Sequence, residues 1–380
     1  MKVLFLTDGV HPFVIGGMQS HSLSLAIALS KLGVQIDLVH CGGTGYSPEE
    51  FCKIFSSDIR EILIPFPSAG KLPGHYLRES VRYSRAIWNS VRADLNTYDI
   101  IYSQGFTGIA FGRGKTSNPF SAPLLVNLHG FEMFQQAAGL KVKLQQLVLR
   151  PIVRELLKSS DRVYSFGGKI DLILKSQGVA SEKIMHQSNA IASDWITSDL
   201  RLCSPRSFVF VGRYERRKGI EELNQAVQEL IRRGLPFRFS FVGNIPEHLR
   251  LAHEKVTYHN AISDRDQLKA VLDASDCLVC PSFSEGMPTV ILEAMSRGNA
   301  IIATDVGAVS QMVNGNGILL TSPAVCEIQK AIQHVIEVDD AEMMKLKNRS
   351  IELIGAKFLW ENVARQKLKD FESLRGKAAT

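Results

Sequence analysis

The chain has 380 residues, 45% of them hydrophobic and 22% charged, with a formal net charge of +6. That length exceeds one compact core and predicts two or three domains, and the composition excludes a disordered chain. No apolar run approaches the roughly 18–20 residues that span a bilayer, which excludes a transmembrane helix.

The chain opens Met1-Lys2-Val3-Leu4-Phe5-Leu6-Thr7-Asp8. Its apolar stretch is too short for a signal peptide and reads as a first buried strand, which predicts a cytoplasmic protein. Val3–Leu6, Val34–His40, Ile100–Ser103, Leu124–Leu128 and Arg162–Ser165 read as strands; Gly17–Leu32 and Leu140–Lys158 read as helices. The stretch Ser188–Ser207 is polar and turn-rich, with Pro205. Beyond it the series restarts. Phe208–Val211, Arg238–Val242, Cys277–Cys280 and Ala300–Thr304 read as strands, and Ile220–Arg233, Gln267–Ala274 and Thr289–Arg297 as helices. Alternating short β-branched runs and amphipathic stretches predict βαβ units with parallel sheets. The expected fold class is α/β, with two doubly wound domains, one before about residue 190 and one after. Ligands of such sheets sit beyond the carboxyl ends of the strands, so two domains facing each other form one cleft. Residues 40–120 carry no interpretable motif.

The six cysteines, at 41, 52, 203, 277, 280 and 326, imply no disulfide framework. Cys277 and Cys280 form a C-x-x-C within a strand. Residues three apart on a strand face opposite ways, so they read as two small core residues. Residues 71–169 hold 14 Lys+Arg and 6 Asp+Glu, a net of +8. Such a patch meets an anionic lipid surface or an anionic substrate. No helix-turn-helix, zinc or RNA-binding signature accompanies it, so no nucleic-acid partner is expected.

Four segments carry chemistry. In Pro281–Gly298, the strand Cys277–Cys280 leads into the loop Glu285-Gly286-Met287, and Pro288 and Gly298 suit the first helical turn and the position after the last. Glu293 falls about one turn into that helix. The helix start offers free N–H groups to a diphosphate, with Glu285 and Glu293 flanking it; each alone reads equally as a capping or a surface glutamate. In Phe208–Ile220, a strand ends in Gly212-Arg213, and Lys218-Gly219 precedes a helix. Two cations there suit a diphosphate and a departing nucleotide. Arg216 and Arg217 read as a solvated basic turn. In Asp8–Gln19, Gly16 and Gly17 lie between strand and helix, a phosphate-binding layout that lacks G-x-G-x-x-G. Finally, His129 ends the strand Leu124–Leu128, facing the expected cleft.

Together these segments resemble the family-4 retaining glycosyltransferases of the GT-B fold, over nearly the whole chain. Glu285 and Glu293 match the family's pair of glutamates eight apart; Ala303–Ala308 and Gly315–Leu320 fit the strands that follow. Phe358-Leu359-Trp360-Glu361 looks like the start of the C-terminal helix that crosses back to the first domain. The resemblance implies two Rossmann-like domains, at 1–188 for the acceptor and 189–357 for the nucleotide-sugar donor, with a terminal helix at 358–380. It also implies that Arg213 and Lys218 bind the donor diphosphate and Glu293 the ribose hydroxyls. Glu285 and the backbone of Gly286, Met287 and Pro288 would hold the transferred sugar, Gly16 and Gly17 would approach the donor phosphates, and His129 would lie near the reacting sugar. The family often has Phe-Gly where Met287-Pro288 stands, and Asn-Gly-Ile-Asp where Asn189-Ala190-Ile191-Ala192 stands. These departures leave the sugar open.

By the same resemblance, the expected activity is transfer with retention from a nucleotide sugar, UDP-linked, to a glycan or lipid-linked acceptor in surface polysaccharide or glycolipid assembly. The acceptor hydroxyl attacks on the face from which the nucleotide leaves. With Arg213 and Lys218 opposing the phosphate charge, no metal and no cofactor are expected. Asp264-Arg265-Asp266 resembles a D-x-D metal motif but reads as a helix start capped by Ser263; Asp339-Asp340 reads as another. Residues 138–158 combine leucines with Lys141, Lys143, Arg150, Arg154 and Lys158. They fit an amphipathic helix on an anionic membrane, the inner face of the plasma membrane, or equally a helix covering the sheet. The competing functions are a non-catalytic partner subunit, which would lose Arg213, Lys218 or Glu285, and a nucleotide-sugar epimerase or phosphorylase of like layout. An NAD-dependent oxidoreductase would need the missing glycine fingerprint.

Overall fold

The computed structural model describes residues 1–68, 75–115 and 119–375. It divides into two compact units, one of Met1–Met133, Leu144–Ser188 and Trp360–Thr380, the other of Phe134–Lys143 and Asn189–Leu359.

The first unit is built on β1 (Lys2–Leu6), β2 (Gln35–His40), β3 (Ile59–Leu63), β4 (Ile100–Gln104), β5 (Leu124–Asn127), β6 (Arg162–Ser165) and β7 (Ile184–His186). All pair in parallel, in the order β3-β2-β1-β4-β5-β6-β7. The helices are α1 (Gly17–Ser30), α2 (Pro48–Ile54), α3 (His75–Val91), α4 (Ile109–Gly114), α5 (Leu140–Ser159, of which the residues from Leu144 belong to this unit) and α6 (Lys169–Ser176). A parallel sheet is covered on both faces, so its strands read as continuous apolar runs. Phe5, Leu38 and Tyr102 face one core with α1, and Leu4, Leu6 and Ile101 face the other with α3 and α4.

The second unit repeats the plan with β8 (Arg206–Val211), α7 (Ile220–Arg232), β9 (Phe237–Val242), β10 (Val256–His259), α8 (Arg265–Asp273), β11 (Cys277–Cys280), α9 (Thr289–Ser296), β12 (Ala300–Thr304), β13 (Gly317–Leu320), α10 (Val325–Glu337) and α11 (Asp340–Lys357). Its parallel order is β10-β9-β8-β11-β12-β13. Phe208, Phe210, Phe237, Phe239 and Phe241 fill the core beneath α7 and α10. Cys277 faces that core, whereas the Cys280 thiol lies 3.6 Å from Ser282 Oγ, so the C-x-x-C is two buried, separate thiols. The last helix, α12 (Trp360–Leu374), returns to the first unit, where Ala364, Phe371 and Leu374 join the core of Val3, Phe5 and Tyr102.

The structure adds β3, β7 and β10 to the strands read from sequence, forms β13 within the Gly315–Leu320 segment, and adds α2, α3 and α4 to the helices of residues 40–120. It also moves one cap. Asp264, not Ser263, caps α8, its carboxylate accepting from Gln267 N–H at 2.8 Å. Asp339 caps α11, as expected. Among the described residues, no helix is long and apolar enough to cross a membrane.

Candidate active site

In the second sheet, successive strands move outward in opposite directions from the β8–β11 pair. The loops leaving these two strands part there, and such a switch point opens a crevice at the carboxyl ends. From β8 the chain enters Gly212, Arg213 and a 3-10 turn, Arg216–Lys218; from β11 it enters 281–288 and then α9. The two loops touch. Phe283 N–H donates to Arg217 O at 2.7 Å. Gly219, at φ 69°, lies so near Pro281 that a Cβ would stand 2.0 Å from its carbonyl oxygen.

Glu285 is the centre of this contact and is 5% exposed. Lys218 Nζ and Ser282 Oγ each donate to its Oε1 at 2.7 Å, and Arg217 Nη1 lies 3.4 Å from Oε2. Burial works to raise the pKa of this carboxyl, but the Lys218 ammonium and Arg217 guanidinium outweigh it and hold the group below the usual range. Two cations therefore keep a buried carboxylate charged.

The loop backbone is fixed as firmly as its side chain. Gln135 donates from Nε2 to Glu285 O at 2.6 Å and accepts from Glu285 N–H at 3.2 Å. Ala308 N–H donates to Gly286 O at 2.8 Å, and Asn189 Nδ2 donates to Met287 O at 2.5 Å. Gly307, at φ 55°, packs against the loop so closely that a Cβ would lie 2.2 Å from Glu285 O. Three successive carbonyls are thus engaged. The N–H groups of Gly286 and Met287 have no partner among the described residues, and α9 begins at Thr289 after an N-cap, Pro288, that supplies no side-chain cap. Buried donors of this kind are the exception in folded proteins and suit an incoming acceptor oxygen.

Glu293, the fifth residue of α9, differs from Glu285. Burial pushes its carboxyl up to about 7 against the pull of Arg265. The carboxylate has no hydrogen bond or ion pair among the described residues. Such a group is ready to accept from hydroxyls. Arg213 is not drawn to Glu285: its side chain is 81% exposed and pairs with Glu215 at 3.0 Å, while Glu215 also takes Arg217 Nε at 2.7 Å.

Three assignments therefore change. Arg217 is no solvated cation but links Glu215, Ser284 O and Glu285. Arg216 pairs with Glu222 and lies over the Phe283 ring at 4.9 Å. Within this 3-10 turn Arg217 and Lys218 share Glu285, while Arg216 turns to Glu222 and Phe283. Pro288 is the N-cap of α9 rather than part of its first turn. Gln135 was beyond sequence reasoning, because 150 residues separate it from Glu285.

In the first unit the switch point lies between β1 and β4. The loop after β1 ends at Gly16, the N-cap of α1, which has no side-chain cap; a Cβ on Gly17 would meet nothing within 4 Å. His129 follows β5 at φ 60°, the left-handed region that few side chains adopt. Its backbone N–H donates to Asn127 Oδ1 at 3.0 Å, and its Nε2 lies 2.9 Å from Gln104 Oε1 and 3.3 Å from Asn127 Nδ2. His21 stands edge-on to the ring at 4.7 Å. Burial, reinforced by the Lys367 ammonium, drives the imidazole pKa down to about 3, so it is neutral and acts as a hydrogen-bonding group.

Two doubly wound parallel sheets, the second carrying a Glu–Lys–Arg cluster at its switch point, define an α/β protein of the GT-B fold class. Comparison makes this more particular. The family described as Glycosyltransferase Family 4 matches residues 15–195, and that described as Glycosyl transferases group 1 matches residues 205–338. TuaC of Bacillus subtilis (strain 168), named as a teichuronic acid biosynthesis glycosyltransferase, is 38% identical over 118 residues, 31% of this chain; the chain spans 29% of that protein's length. Sucrose-phosphate synthase from Thermosynechococcus elongatus superposes with a TM-score of 0.80 at 21% identity, covering 100% of this chain and 99% of that one. Anabaena Alr3699/HepE in complex with UDP-glucose gives 0.70 at 17% identity, covering 98% and 100%. The two solved structures show the fold. The chain belongs to the family-4, group 1 glycosyltransferases.

Proposed function

We propose that the chain transfers a sugar, with retention of configuration, from a UDP-sugar to a glycan or lipid-linked acceptor in surface polysaccharide or glycolipid assembly at the cytoplasmic side of the membrane. The observation that carries this reading is the buried Glu285 carboxylate held by Lys218 and Arg217, beside the open N–H groups of Gly286 and Met287. HepE's complex with UDP-glucose supports the donor class, and TuaC's name supports the polymer.

Each residue then has a task. Lys218, with Arg213 from the exposed end of the same loop, opposes the diphosphate; the start of α9 adds its N–H groups. Glu293 accepts from the ribose hydroxyls. Glu285 accepts from hydroxyls of the transferred sugar, and the backbone of Gly286, Met287 and Pro288 shapes its pocket. In the first unit, Gly16 and Gly17 leave the start of α1 open to a phosphate, and neutral His129 offers a hydrogen-bonding group to a sugar. The acceptor oxygen bonds to the anomeric carbon as its bond to the diphosphate oxygen breaks, on the same face. The leaving phosphate takes the acceptor's proton. Because these cations carry the charge of the departing group, the reaction needs no metal, and activity survives a chelator.

Donor hydrolysis by wild type, Glu285→Ala and Lys218→Ala tests the assignment. Each variant should lose about a hundredfold or more in kcat. Unchanged hydrolysis in both would remove it.

A further inference from the structure

In the first unit, α3 and α5 line a groove of about 430 Å³, with His75, Tyr76 and Leu77 on one side and Leu144, Val148 and Leu149 on the other. The groove opens onto an apolar surface: Leu144 is 66% exposed, Val148 60% and Leu147 45%. Over this turn of α5 the usual polarity is reversed. Gln146 is buried and donates to Glu132 O at 2.7 Å, while its apolar neighbours face outward. A helix that covers a sheet in water does the opposite.

Charge says what meets this surface. Within the first unit, α3 and the part of α5 from Leu144 onward carry six Lys and Arg and two Asp and Glu. Both glutamates are already partnered, Glu155 in an ion pair with Arg113 and Glu79 in a hydrogen-bond contact with His75 at 3.2 Å. The side chains of Arg82 and Arg85 are exposed and have no partner among the described residues. A second copy of the chain placed here by two-fold symmetry would set like charges together. An anionic bilayer satisfies both features, taking leucines into its interface and pairing cations with headgroups.

We infer that the α3–α5 face docks the protein onto an anionic membrane surface, with Tyr76, Leu144, Leu147 and Val148 entering the interface and Arg82 and Arg85 contacting lipid phosphates. This docking stands apart from the transfer reaction; only the corollary, that the acceptor is borne on lipid, rests on the proposed activity.

Co-sedimentation with vesicles of phosphatidylcholine alone, or of phosphatidylcholine with phosphatidylglycerol, tests it. The variants are Leu144→Glu/Val148→Glu and Arg82→Glu/Arg85→Glu. Wild type should bind the anionic vesicles at low salt and dissociate at high salt, and each double variant should bind about tenfold less. All three proteins should hydrolyse donor equally in solution, which establishes that the variants fold. No binding to anionic vesicles, equal binding to neutral ones, or variants that bind like wild type would overturn the inference. So would light scattering that shows wild type as a dimer and the leucine variant as a monomer. Loss of donor hydrolysis in wild type would instead remove the transferase reading and leave the docking result intact.

Discussion

Two glutamates eight residues apart occupy opposite electrostatic settings, and that contrast sets what each can do. Glu285 is fixed as an anion by Lys218 and Arg217; Glu293 has burial and no adjacent partner, and its pKa rises to about 7 from an ordinary 4.5. Between those two values the folded chain holds a proton that the unfolded chain has shed, so this group costs stability as pH rises through that window. Glu293→Gln should remove that slope, giving a higher thermal midpoint than wild type at pH 8 in the absence of nucleotide. Ribose hydroxyls donate to the ionised form. UDP affinity, measured by calorimetry, should therefore strengthen from pH 6 to pH 8 in wild type and stay level in Glu293→Gln. A parallel pH dependence in both proteins would refute the role. The eight-residue spacing was legible because one loop and one helix carry both groups. Arg217 was not, since a run of three basic residues does not disclose a 3-10 turn that sends Arg217 and Lys218 to Glu285 and Arg216 to Glu222.

At the scale of elements, the loop 281–288 owes its shape to parts of the chain far from it: Gln135, Asn189 and Gly307–Ala308 each hold one carbonyl or one close approach. Gly307→Val places a branched side chain at φ 55° and within 2.2 Å of a carbonyl oxygen. It should lower stability by about 1–3 kcal/mol and raise the KM for donor; denaturant unfolding and steady-state kinetics would show both. The terminal helix offers a second test. Phe371 is fully buried in the first unit's core, so Phe371→Ala should cost about 3–5 kcal/mol, read from the urea midpoint. Central strands such as Val3–Leu6 and Ala300–Thr304 were plain in the sequence because burial on both faces makes them continuously apolar. β3 and β10 lie at sheet edges and β7 has three residues, so polar positions interrupt their patterns. The cap at Asp264 was misread because Ser263 and Asp264 are both good capping residues, and only the geometry at Gln267 separates them.

For the molecule as a whole, the restart of the βα pattern after residue 207 disclosed two doubly wound sheets, and strand order then located both switch points. Sequence could not reach the contacts that fix Glu285, because they arise only when separate segments of the second unit pack. The central claim is transfer with retention through the Glu285 site. Its most direct test is proton NMR of the product formed from a UDP-sugar of known anomeric configuration, with Glu285→Ala as control. Wild type should give a product with the donor's anomeric configuration and the variant none; an inverted linkage, or equal product from Glu285→Ala, would contradict transfer with retention at this site.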